Sequence, residues 1–350
     1  MITDELINVR FSDDGEAVVI LDQTLLPNVT RYIEITGLRE MCGAIAALKV
    51  RGAPAIGVFA AFALYIVARN LKTGDYNVFR DEIRKSAAQL ASTRPTAVNL
   101  TKQLSRMERL VDDLCDKPLP RIIEAMRAEA ESIRDEDTAM CRAMAEHGLG
   151  LISSRSGILT HCNAGPLATS RYGTALGPII LAHELGWGLS VYCCETRPLL
   201  QGARLTSYEL FKAGIDCTLI CDNMASEVMS RGKVDAVFVG CDRVARNGDA
   251  ANKIGTSGLA ILAKHYGIPF YVFCPSSTYD PGCASGADIE IEMRDPSEIK
   301  ELFFKNPVAL PGVKCYNPAF DVTANSLITA IITEKGVFKA PFDKSLPGGL

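Results

Sequence analysis

The chain has 350 residues, about twice a common domain size, which allows one large domain or two. Lys plus Arg number 37 against 41 Asp plus Glu, a formal charge of -4, so the basic excess of a nucleic-acid-binding surface is missing and nucleic acid is excluded as a partner. Twelve cysteines without regular spacing, behind an N-terminus with no charged-then-apolar leader, fit thiols kept reduced in the cytoplasm.

Residues 1 to about 35 mix short apolar runs, Val18 to Leu21 and Tyr32 to Ile35, with turn signals such as Asp13-Asp14-Gly15 and Pro27-Asn28, which predicts a small β-region. From Leu38 to about Gly148 the apolar residues recur at helical spacing, as in Leu38, Met41, Ile45 and Leu48, or Leu100, Leu104, Met107 and Val111. The most apolar segment, Gly52 to Ala68, is broken by Pro54 and Gly57 and is shorter than the roughly 20 residues of a spanning helix, so it reads as a buried core helix and no membrane is expected. Two polar turns interrupt this half: Val50-Arg51-Gly52-Ala53-Pro54 and Ser92-Thr93-Arg94-Pro95-Thr96. Each sets an arginine before a helix start, and a guanidinium fork suits a phosphate as well as it suits a structural ion pair. Pro118 to Gly148 reads as one long amphipathic helix joining two domains, residues 1–148, mainly helical with a small β-region, and residues 149–350.

Beyond residue 150 short apolar runs alternate with helical patterns. The runs are Gly157 to His161, Leu189 to Cys193, Cys217 to Cys221, Val234 to Gly240 and Ile268 to Cys274, with Ile289 to Ile291 a weaker sixth. This cadence predicts an α/β fold, a Rossmann-like doubly wound parallel sheet. The five main runs are each followed by a polar exit: Cys162-Asn163, Thr196-Arg197, Asp222-Asn223, Cys241-Asp242-Arg243 and Ser276-Ser277-Thr278. Ligands of such sheets collect beyond the carboxyl ends of the strands, so these exits predict one pocket.

Cys162 leads through small residues toward a helix and is a candidate base or nucleophile, or else an inert buried thiol. Asp242, expected in an apolar crevice between Val239 and Val244, is the candidate acid, or else a structural cap. A helix is expected to begin near Asn252, where its amide groups and Lys253 would suit an anion such as phosphate. No C-x-x-C or H-E-x-x-H occurs, so His147, His161, His183 and His265 supply no recognisable metal site. The glycine signatures of dinucleotide and nucleoside-triphosphate loops are missing as well.

Several stretches together resemble a known family. They are Arg51-Gly52-Ala53-Pro54-Ala55-Ile56-Gly57, Arg94 to Asn99, Thr160 to Gly165, Thr196-Arg197-Pro198 through Gln201 to Thr206, Asp222-Asn223-Met224, Asn247-Gly248-Asp249 through Asn252 to Thr256, and Tyr316 to Thr323. In order, over about Asp22 to Phe338, they look like methylthioribose-1-phosphate isomerase, a family related to ribose-1,5-bisphosphate isomerases and to the regulatory subunits of translation initiation factor 2B. The resemblance implies a helical N-terminal domain, a Rossmann-like C-terminal domain, a homodimer, a sugar phosphate substrate and no cofactor. It places the catalytic cysteine on Cys162, the proton-donating aspartate on Asp242, and substrate contacts on Arg51, Gly52, Ala53, Arg94, Gln201, Asn252 and Lys253. Cys241 stands where the family commonly has alanine, and Pro166 and the Cys193-Cys194 pair also depart from its pattern. A relative acting on 5-deoxyribose 1-phosphate would keep the same machinery, a ribose-1,5-bisphosphate isomerase would need a second phosphate site, and a regulatory subunit would share the fold without the reaction.

Overall fold

The computed structural model describes residues 7–94 and 97–349. Pro95 and Thr96, half of the second arginine turn, lie outside the described residues. The chain divides into two compact units, residues 1–140 with 166–173, and residues 141–165 with 174–350.

The first unit opens with an antiparallel sheet of β1 (Val9–Phe11), β2 (Val18–Leu21) and β3 (Tyr32–Ile35), with β2 central and buried on both faces. Five helices follow: α1 (Leu38–Ala46), α2 (Ala53–Asn70), α3 (Tyr76–Ser92), α4 (Val98–Asp113) and α5 (Leu119–Leu149), the last running on into the second unit. Helix α2 is apolar nearly all round, as a helix buried on every side must be. It is long and apolar enough to cross a membrane, yet 72% of it is buried inside the protein, packed along α4 and α3. Its start is sharp because Gly52 turns the chain with φ 92 and Pro54 sits in the first turn. At α3 the Asp75 carboxylate caps the helix, accepting from Asn77 N at 2.7 Å and Val78 N at 3.1 Å. Phe11 of β1 stacks on Phe62 of α2 at 4.1 Å between ring centroids, which pins the small sheet to the helical core.

The second unit is an α/β fold. Its parallel strands are β4 (Gly157–His161), β5 (Ser190–Cys194), β6 (Cys217–Ile220) and β7 (Ala236–Val239), joined by helices α6 (Gly177–Glu184), α7 (Ser207–Lys212) and α8 (Ala225–Ser230). After β7 the chain forms a hairpin of β8 (Arg243–Ala245) and β9 (Ala250–Lys253), then α9 (Thr256–Tyr266), β10 (Phe270–Phe273), β11 (Tyr279–Asp280), α10 (Ser297–Lys300), β12 (Phe320–Thr323), β13 (Ala330–Thr333), β14 (Gly336–Phe338) and α11 (Phe342–Gly349). The large sheet runs β14-β13-β10-β7-β4-β5-β6, and only β14 is antiparallel to its neighbour. A second sheet, β11-β8-β9-β12, gathers segments from distant parts of the chain.

The strand order puts β4 at a switch point: the chain winds from β4 through β5 to β6, then returns to lay β7 on the other flank of β4. Two expectations fail. Ile289 to Ile291 is no strand; Ile289 and Ile291 pack into a small cluster with Ala245, Ala251 and Cys283, and the sixth parallel strand is β13. The helix expected near Asn252 starts at Thr256, because Asn252 and Lys253 are held in β9 by antiparallel pairing to β12 and only Gly255, with φ 101, turns the chain into α9.

Candidate active site

Strands β4 and β7 pair in parallel, His161 opposite Val239, so the chain leaves the two central strands side by side. The next residues are Cys162 on one and Gly240, Cys241 and Asp242 on the other. A Cβ on Gly240 would lie 3.0 Å from the Ala164 Cβ, which shows how close the two exits run.

Cys162 is half-buried and left-handed, with φ 62. Its amide donates to Thr196 Oγ1 at 2.8 Å and its carbonyl accepts from Thr206 Oγ1 at 2.6 Å. Asn163 Nδ2 donates to Thr206 Oγ1 at 3.1 Å and to the buried Glu209 Oε1 at 3.0 Å. Gly165 must be glycine, since a Cβ there would sit 1.8 Å from Glu209 Oε2.

The β5 exit is built around Thr196, buried and left-handed with φ 65. Asp222, at the β6 exit, accepts from Thr196 N and Arg197 N, each at 2.7 Å. Gln201 follows, buried, just before a wide helical turn with π-type bonding over Gly202–Thr206. Such turns cluster at functional sites. The Gln201 Oε1 has no hydrogen-bond partner among the described residues, an uncompensated acceptor of the kind a ligand hydroxyl satisfies.

Asp242 begins the β8–β9 hairpin, its amide donating to Ala251 O at 2.9 Å. The apolar crevice expected around it is not there: Val239 and Val244 are buried in the core, while Asp242 itself is exposed. Arg243 is turned toward Asp280 of β11, 3.7 Å away. On the facing strand Asn252 Nδ2 donates to Thr256 Oγ1 at 3.1 Å, and Lys253 Nζ donates to Ala319 O at 2.9 Å while lying 4.5 Å from the centre of the Phe320 ring. The start of α9 near them is already occupied: the Asp321 carboxylate accepts from Gly255 N at 2.8 Å and Ser257 N at 3.1 Å. An anion expected at this helix end would therefore meet a carboxylate.

The thiols around Cys162 are poor nucleophiles. Burial, then the Asp222 and Glu195 charges, pushes the Cys194 thiol far up, and burial does the same to Cys193 and, with Cys274 beside it, to Cys241. The single S–H of Cys241 instead lies within reach of two carbonyls of the hairpin, Arg243 O at 3.1 Å and Ala251 O at 3.3 Å. His161 is buried, and its Nε2 lies 2.8 Å from Ile254 O, so Nε2 carries the proton and Nδ1 is an acceptor; burial holds the ring neutral. His161, Cys194 and Asp222 bring ligand atoms within 4.8 Å of one another, a cluster the sequence does not reveal because its members come from three strands. Both Asp222 oxygens there are engaged by backbone amides.

In the first unit, Arg51 and Gly52 form the turn before α2 and Ala53 is its first residue; Arg94 follows α3, its carbonyl accepting from Ala97 N at 3.0 Å. Gly52 could not be replaced without movement, as a Cβ would fall 2.5 Å from Ala168 Cα. Asn8 Nδ2 and Gln23 Nε2 hold that neighbouring segment through Leu167 O at 2.7 and 2.8 Å. Cys162, Gln201 and Asp242 follow strands of the second unit, Asn252 and Lys253 lie in its β9, and Arg51, Gly52, Ala53 and Arg94 belong to the first unit. Sequence reasoning gave no role to Thr196, Thr206, Glu209 and Asp222; Thr196 and Asp222 were visible as polar strand exits and, with Thr206, within the family-like stretches, while Glu209, inside α7, had no signal.

The profile of the Initiation factor 2 subunit family matches residues 49–340. The chain belongs to this family. Methylthioribose-1-phosphate isomerase from Symbiobacterium thermophilum is 58% identical over 338 residues, 97% of this chain and 94% of that protein. A 5-deoxyribose 1-phosphate isomerase from Petrotoga mobilis is 54% identical over 341 residues, 97% of this chain and 98% of the relative. Among solved structures, 5-methylthioribose 1-phosphate isomerase from Pyrococcus horikoshii superposes with a TM-score of 0.93 at 41% identity, covering 99% of this chain and 96% of that one.

Proposed function

We propose that this chain converts 5-methylthioribose 1-phosphate to 5-methylthioribulose 1-phosphate, with Asp242 as general acid and Cys162 as catalytic thiol. The observation that carries this reading is the pairing of β4 with β7, which delivers a half-buried cysteine and an aspartate from adjacent strands at the switch point of the sheet. The 58% identity to a methylthioribose-1-phosphate isomerase supports the substrate.

The substrate carries phosphate on its anomeric oxygen, so its ring cannot open through a free hemiacetal. Asp242 protonates the ring oxygen as the bond from C1 breaks, a contribution of about 10² to 10⁴ in rate. Asp242 is exposed, so this role requires substrate bound over the exits to shield it from water. Hydride then passes from C2 to C1 while Cys162 takes the proton of the 2-hydroxyl, leaving a ketone at C2 and a free 4-hydroxyl. The proton returns from Cys162 to Asp242 to close the cycle. Within the second unit Gln201 meets a sugar hydroxyl with its unpaired Oε1, and Asn252 and Lys253 supply further contacts. The enzyme acts without a cofactor, as a cytoplasmic homodimer.

A second substrate, 5-deoxyribose 1-phosphate, is favoured by the Petrotoga mobilis relative. The purified protein assayed by phosphorus NMR against 5-methylthioribose, 5-deoxyribose and ribose-5-phosphate 1-phosphates decides among them. Fastest turnover of the methylthio sugar supports the proposal, preference for the deoxy sugar moves the assignment to it, and turnover of none would overturn the enzymatic reading.

A further inference from the structure

We infer that Asp222 and Thr196 are positioning residues that hold Cys162 in its reacting conformation; the inference rests on Cys162 being the catalytic thiol. Six non-glycine residues have positive φ among the described residues, and two of them, Cys162 and Thr196, are hydrogen-bonded to each other across the ends of adjacent parallel strands. A left-handed backbone is unfavourable for any residue with a Cβ, and most of all for a β-branched one. Such strain persists only where the surroundings over-determine it, and it collects at functional sites.

The surroundings here form a chain of bonds that ends in a charge. Asp222 accepts the two consecutive amides of Thr196 and Arg197, one on each carboxylate oxygen, at 2.7 Å, and so fixes the turn at Thr196. Hydrogen bonds to an ionised acceptor are the stronger kind. Thr196 Oγ1 donates to Cys194 O at 3.0 Å, which aims its remaining lone pairs at the Cys162 amide 2.8 Å away. Thr206 Oγ1 holds the other side of Cys162 through its carbonyl at 2.6 Å. Both backbone polar groups of Cys162 are thereby spent on threonine hydroxyls, and the direction in which its Cα–Cβ bond leaves β4 is set by residues on β5, β6 and the turn before α7. A sheet that needed Cys162 only as packing would let the strand run on in extended conformation. Asp222 does not reach the substrate in this account; it acts through Thr196.

The test compares Asp222→Asn, Thr196→Val and Thr196→Ser in the full chain, with folding checked by circular dichroism. Steady-state kinetics are read beside the rate at which iodoacetamide labels Cys162, followed by mass spectrometry of its peptide. Asp222→Asn and Thr196→Val are expected to lower kcat by at least about tenfold with KM within about twofold, and to change Cys162 labelling by at least about threefold. Thr196→Ser, which keeps the hydroxyl, is expected to restore both. Thr196→Val with wild-type kcat, or with kcat lost but Cys162 labelling unchanged, would overturn the inference. So would a Thr196→Ser variant as impaired as Thr196→Val. Should Asp222→Asn not fold, the Thr196 pair decides alone. If the wild-type chain isomerises none of the sugars, the proposed function fails, and the labelling rates still report whether Thr196 and Asp222 set the Cys162 conformation.

Discussion

Helix α2 and the exits of β4, β5 and β6 both enclose buried side chains, and they do so for opposite reasons. Helix α2 contains almost nothing but apolar side chains in ordinary helical conformation, with Phe59, Phe62 and Leu64 fully enclosed. The exits contain left-handed Cys162 and Thr196, buried Gln201 and Glu209, and a carboxylate, Asp222, tied to two amides. A region that exists for stability puts each residue in its preferred state, whereas a region that exists for chemistry holds several out of theirs and needs a surrounding network to do so. Substitutions should therefore separate the two: damage to α2 should lower stability and spare the turnover of folded molecules, and damage at the exits should do the reverse.

The largest effect is expected from the reacting groups. Asp242→Asn and Cys162→Ala should each lose at least about 10²-fold in kcat, while thermal unfolding stays close to that of the wild type, since neither side chain carries core packing. Either variant with near wild-type kcat would remove that residue from the mechanism. Next comes Phe62→Ala, which deletes a fully buried ring and its stack on Phe11. Urea unfolding should show a loss of about 3 to 5 kcal/mol, with kcat per folded molecule unchanged. A loss of kcat without a loss of stability would blur the distinction between the regions.

A smaller effect tests a polar group within the helical unit. Asp137 of α5 is buried and accepts the Ser170 amide at 2.6 Å, and burial pushes its carboxyl up to about 6. Its folded pKa lies above its unfolded one, so the protonated carboxyl stabilises the fold below about pH 4, and that contribution is lost as pH rises through about 6. Asp137→Asn keeps an acceptor for Ser170 and carries no charge. It should match the wild type near pH 4 and exceed it by about 2 to 3 kcal/mol at pH 7. Stability curves that stay parallel between pH 4 and 7 would contradict this.

Much of the fold was legible in the sequence, because it is written in local patterns. Gly52 and Pro54 mark the start of α2, and five apolar runs mark five of the six parallel strands to within two residues. What could not be read was set by partners far away in the chain. Asn252 and Lys253 resemble a helix start, and only pairing with Phe320 and Asp321 makes them a strand. Ile289 to Ile291 alternates like a strand but has no edge to join, while Ala330 to Thr333 does. The candidate site divides in the same way. Cys162 and Asp242 are visible as strand exits, but that Asp242 stands exposed, and that Asp222 holds Thr196 across two strands, depends on strand order rather than on any local motif.

The most direct measurement is turnover of 5-methylthioribose 1-phosphate carrying deuterium on C2, in ordinary water, with the ketose product read by NMR and mass spectrometry. The account predicts a ketose phosphate with the deuterium on C1. Failure to form the ketose, or a product whose C1 carries solvent hydrogen in place of the label, would contradict it.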